Sequence, residues 1–106
     1  MTYHYKNIEF HYAYVDDHSI YVYRMYIKDN NSSIIEFPSY IENMPVKDIN
    51  WEIFSGYSLS NIKYIKFPEH SRILPNGFDY NICDNIRFIK YAGFIIKIKN
   101  NNYSIL

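Results

Sequence analysis

The stretch NIKYIK, Asn61–Lys66, returns 24 residues later as NIRFIK, Asn85–Lys90. Phe54 and Phe78 stand at the same separation. Between each Phe and its copy lies a polar, turn-like segment, SGYSLS in the first and DYNICD in the second. The unit therefore reads Phe, turn, then I-x-x-I-x-aromatic. Ile62, Ile65 and Phe67 fill it once, and Ile86, Ile89 and Tyr91 fill it again. A partial earlier copy is IIEFPS, in which Ile35, Phe37 and Pro38 match Ile65, Phe67 and Pro68. Repeats of this length point to stacked architectures, because one short strand with its turn cannot bury an apolar face alone.

Alternation assigns faces within each copy. Ile65 and Phe67 share one side of a strand and Lys66 takes the other; Ile35 and Phe37 flank Glu36, and Ile89 and Tyr91 flank Lys90, in the same way. Pro38 and Pro68 then stop the strand. Tyr64, Lys66, Phe88, Lys90, Glu36 and Ile34 fall on the outward side. Stacked in register they form an aromatic–basic strip, in which rings supply contact area and lysines supply charge. This strip is the candidate binding surface.

Composition supports a mainly β chain of one domain. Hydrophobic residues make up 48% of the 106 positions, led by 13 Tyr, 7 Phe and many Ile. Such residues suit a pleated, half-buried surface, whereas strong helix formers are few. The formal net charge is zero, which disfavours nucleic acid as the partner. The charge is nevertheless divided. Residues 1–60 hold four Lys/Arg against eight Asp/Glu, and residues 61–106 hold seven against three. A molecule so divided is expected to self-associate head to tail, less so as salt rises, or to offer its basic end to an acidic partner.

IIEFPSYIENMPVKDINWEIFSG, Ile34–Gly56, resembles the BspA-like class of bacterial leucine-rich repeats. The matching residues are Pro38, Ile41, Pro45, Val46, Ile49, Phe54 and Gly56, followed by Ile62, Ile65 and Pro68. The segment before them is similar to the hairpin that often opens such arrays. The departures are Ile53 and Gly77 in place of a small Ala, a second loop about one residue short, and Ala92 in place of Pro. The resemblance implies a short leucine-rich-repeat solenoid of about three strand units. Residues 34–92 would form the units, 1–33 an N-terminal hairpin cap and 93–106 a C-terminal cap. It also implies a role in protein contact.

The ends fit that plan. EFHYAYV and SIYVYRMYI are strand-like runs around the turn-forming DDH. GFIIKIK and YSIL read as a second hairpin or a final strand; Phe94, Ile96 and Ile98 give one apolar face, and Ile95, Lys97 and Lys99 the other.

Candidate chemistry is sparse. His4, His11 and His18 are spaced by sevens, but odd spacing along strands puts successive residues on opposite faces, and no zinc-like ligand spacing exists. Asp16 and Asp17 beside His18 read as a solvated turn rather than an acid–base pair. Ser55, Gly56 and Ser58 do not make a nucleophile elbow. The single Cys83 excludes an intramolecular disulfide and reads as a small buried residue. Trp51 reads as an anchor for the core or for a partner, with the core favoured by the surrounding Ile49, Ile53 and Phe54. No cofactor or metal is implied. No apolar run reaches the ~20 residues of a membrane span, and the N-terminus lacks a signal-peptide pattern, so the sequence as it stands reads as cytoplasmic. The expectation is a non-catalytic protein–protein interaction module. The alternative is a small stoichiometric inhibitor, of the immunity or anti-defence type, that blocks an enzyme.

Overall fold

The computed structural model describes residues 1–29, 31–50, 61–71, 86–99 and 102–105. The fold is mainly β, with no helix among the described residues. Among the described residues ten strands form two five-stranded sheets. They are β1 (Thr2–Tyr5), β2 (Ile8–Asp16), β3 (Ser19–Ile27), β4 (Ile34–Glu36), β5 (Tyr40–Ile41), β6 (Met44–Ile49), β7 (Tyr64–Lys66), β8 (Phe88–Tyr91), β9 (Phe94–Lys99) and β10 (Asn102–Ile105). The first sheet has the order β1-β2-β3-β6-β5 and the second β10-β9-β8-β7-β4.

The repeated phrase sets the second sheet. β4, β7 and β8 run parallel and unshifted: Ile34 pairs with Tyr64 and Tyr64 with Phe88. Ile35, Ile65 and Ile89 form the next row, and Glu36, Lys66 and Lys90 the third. The flanking hydrogen bonds repeat as well. Lys63 N–H donates to Ser33 C=O and Arg87 N–H to Lys63 C=O, each at 2.8 Å; Phe37 N–H donates to Lys66 C=O and Phe67 N–H to Lys90 C=O, each at 2.9 Å. The central isoleucines are fully buried. Burial of each such side chain contributes roughly 1.5–3 kcal/mol before ordering entropy is counted. Phe37 and Phe67 stack at 5.8 Å between centroids, and Phe10 of the first sheet meets Phe37 at 5.3 Å. The inner faces of both sheets thus share one apolar cluster.

Two-residue turns join β1 to β2, β5 to β6 and β8 to β9. Lys6 and Asn7, Glu42 and Asn43, and Ala92 and Gly93 all have positive φ, the backbone that matches hairpin twist. The expected N-terminal hairpin is present as β2–β3, and the expected C-terminal one as β9–β10. β1 is an additional strand on the outside of the former.

The architecture also departs from a row of units closed by separate caps. β6 lies within the first expected unit, yet it pairs in parallel with β3, placing Val46 beside Ile20 and Ile49 beside Val22. Residues on either side of position 33 therefore share one sheet. The physical reason is burial: Val46 and Ile49 both reach the core, because a register shift gives β6 one extra residue between them. A similar bulge at Tyr23 turns both Val22 and Met25 inward despite their spacing of three. Phe94, expected on the apolar face of β9, is 56% exposed beside the Ala92–Gly93 turn. The expectations for Trp51, Phe54, Ser55, Gly56, Ser58, Gly77, Phe78 and Cys83 lie outside the described residues.

Candidate functional site

The strip is built by register. Partners directly across a ladder place their side chains on one face, so burying the isoleucine row turns the rows on either side of it outward. Ile34 is 50% exposed, and Tyr64, Phe88, Glu36, Lys66 and Lys90 are half-buried. All six residues marked by the sequence are thus brought together on the outward face of β4, β7 and β8.

Its electrostatics are uneven. Lys66 Nζ lies 3.9 Å from Glu36 Oε2. The same oxygen accepts a hydrogen bond from the Tyr5 hydroxyl at 2.5 Å. That bond, aided by burial and the Glu36 charge, pushes the Tyr5 phenol up to about 12. The Tyr64 phenol is also raised, first by burial and then by Glu36. Glu36 therefore already has two partners within the chain.

The antiparallel partner β9 widens the strip. Lys97 stands across from Phe88, and Ile95, 42% exposed, across from Lys90. These two residues were not among the six, although the alternation of Ile95 and Lys97 with Ile96 and Ile98 was the available signal. No protein-family model, curated protein or solved structure matches this chain.

Two other polar groups frame the strip by contrast. On the first sheet His11 Nε2 lies 2.9 Å from Glu9 Oε2 and His4 Nε2 3.6 Å from Glu9 Oε1, while Lys28 Nζ donates to His4 Nδ1 at 2.9 Å. His4 and His11 share this neighbourhood because the Lys6–Asn7 turn puts them on adjacent antiparallel strands. The opposite-face expectation from their spacing fails for that reason. Hydrogen bonding to His11 holds the Glu9 carboxyl below its ordinary range. Among the described residues no group of three His, Cys, Asp or Glu is arranged to hold a metal ion.

The other group is the β2–β3 turn. Asp16 Oδ1 accepts from His18 N–H at 2.7 Å and from the Ser19 hydroxyl at 3.0 Å, and these bonds lower the Asp16 carboxyl, the His18 contribution being the larger. An open cleft of about 390 Å³ lies beside it, lined by Tyr14, Asp16, Asp17 and Met44.

Proposed function

We propose that this chain is a non-catalytic protein-interaction module whose contact surface is the outward face of β4, β7, β8 and β9. On this reading β4, β7 and β8 are rungs of a short array of the BspA-like leucine-rich-repeat kind, and the strip is its recognition face. The observation that carries the reading is the unshifted alignment of Ile34, Tyr64 and Phe88 beside Glu36, Lys66 and Lys90. It sets rings and aliphatic side chains next to lysines on one rigid surface. Rings lose little entropy on docking, and lysines at a rim steer an oppositely charged partner. The partner chemistry is a protein surface with an apolar centre and acidic margins.

Lys90→Glu with Lys97→Glu tests this, since it reverses the strip's charge and leaves the Glu36–Lys66 pair in place. The unaltered chain should retain a specific partner from its native cell, and the variant should lose that partner at unchanged melting temperature. Equal retention by both would remove the strip from consideration. Where the partner is an enzyme, titration to equimolar ratio separates a scaffold from a stoichiometric inhibitor, because only the inhibitor abolishes turnover.

A further inference from the structure

The charge division of the sequence becomes two defined surfaces in the fold. One is the basic strip, with Lys66, Lys90 and Lys97 around Phe88 and Ile95. The other is an acidic tip at the far end of the β2–β3 hairpin. There Asp16 and Asp17 line the cleft with Tyr14 and Met44, and Glu42 joins them by accepting the Tyr14 hydroxyl. The tip also has apolar area, since Tyr14 is 46% and Val15 49% exposed. With Glu36 taken up by Lys66 and Tyr5, each surface thus pairs a net charge with exposed apolar atoms.

The tip lies far along β2 from the edge of the strip where Tyr5 meets Glu36. Tyr5, which touches Glu36 at the strip, is paired with Ile8 at the start of β2. Asp16 closes the same strand eight residues later, about 25 Å away at ~3.3 Å per residue. Screening at physiological salt acts over about 8 Å. At that edge of the strip the tip is too far away to pair within one chain, and the tip of a second copy can supply the opposite charge.

We infer that the acidic tip of one copy docks on the basic strip of a second copy, giving head-to-tail self-association. The inference rests on the strip being a contact surface, as proposed above, and adds the occupant. Each contact uses two different patches, so association is heterologous and extends beyond a dimer unless the rotation closes a ring. Carboxylates at Asp17 and Glu42 meet Lys90 and Lys97, with the Tyr14 and Val15 side chains against Phe88 and Ile95. Two exposed ion pairs together are worth on the order of tenfold in affinity, so the assembly is salt-sensitive.

Sedimentation of the full chain at about 10 mM and about 1 M salt reads this out. The expected result is a mass above monomer at low salt and monomer at high salt. Asp17→Lys with Glu42→Lys alters the tip while sparing Asp16, which holds the turn. Lys90→Glu with Lys97→Glu alters the strip. Each variant alone should lose association about tenfold, and an equimolar mixture of the two should regain it. A monomeric unaltered chain at low salt overturns self-association and leaves the strip open to another partner. A tip variant that associates like the unaltered chain overturns the tip alone. A strip variant that does so overturns the strip as the surface that receives the tip, while the strip reading itself is decided by the partner-retention test above.

Discussion

The Tyr5 hydroxyl donates to Glu36 Oε2 at 2.5 Å, and this bond joins β1, an outer strand of the first sheet, to β4, an outer strand of the second. Sheet edges leave backbone groups without a ladder partner, and a side-chain bridge is one way to hold two edges together. Tyr5→Phe removes the donor and keeps the ring. The expected loss is about 1 kcal/mol, the usual net worth of one hydrogen bond, measured by urea denaturation at neutral pH. The bond also sets an alkaline limit. With the phenol pushed up to about 12 from 10.0, the folded state holds this proton more tightly than the unfolded chain. The contribution is complete below pH 10 and lost as pH rises towards 12. The Tyr5→Phe variant should show a shallower fall in stability over that window, and an unchanged slope would contradict the assignment.

The isoleucine row offers a second comparison, because Ile34 and Ile35 are neighbours in sequence with opposite fates. Ile65 is fully buried between Ile35 and Ile89, whereas Ile34 is 50% exposed. Ile65→Ala should cost about 2–5 kcal/mol through lost burial and a residual cavity. Ile34→Ala should stay within about 0.5 kcal/mol. Denaturant midpoints of the two variants decide the point: equal losses would mean that the face assignment is wrong.

The ladder and the strip were legible because the sequence states them twice. Ile62, Ile65 and Phe67 recur as Ile86, Ile89 and Tyr91, and alternation then settles which side chains turn outward. The tip was not legible. Asp16 and Asp17 read only as a turn, and nothing local announces that Glu42 and Met44 join them. That meeting depends on β6 pairing with β3, a non-local contact carried by Ile20 and Val46. The short hairpins were missed for a different reason. Lys6–Asn7 and Glu42–Asn43 each carry a single turn-favouring residue, Asn, in the second position, a weaker mark than Asn-Gly. Missing the first of these turns hid β1, and with it the proximity of His4 to His11 and the reach of Tyr5 to Glu36.

The Ala92–Gly93 turn yields a pair of opposite predictions. Ala92 sits at φ 50 and Gly93 at φ 83. A Cβ built on Gly93 would meet nothing within 4 Å, so substitution there acts through backbone strain alone. Gly93→Ala should therefore destabilise by about 1 kcal/mol. Ala92→Gly should stabilise by about 0.5 kcal/mol, because relief of the left-handed strain exceeds the added freedom of the unfolded chain. Thermal unfolding of both variants should move the midpoint in opposite directions.

Asp16 governs the acid side. Its carboxylate accepts from His18 N–H and the Ser19 hydroxyl, and those bonds hold it below its ordinary value of 3.8. A depressed carboxyl stabilises the fold above its unfolded-state value and stops doing so as pH falls through the lower folded value. Asn at this position keeps an acceptor oxygen for both donors but cannot titrate. Asp16→Asn should thus retain most of the neutral-pH stability and flatten the loss below pH 3.8, whereas Asp16→Ala should lose stability already at neutral pH. Glu9, lowered chiefly by its bond to His11, still titrates in both variants, so some acid slope persists. Urea midpoints followed from neutral pH into acid separate the cases. Identical acid profiles for the Asn variant and the unaltered chain would show that the turn does not depend on the Asp16 charge.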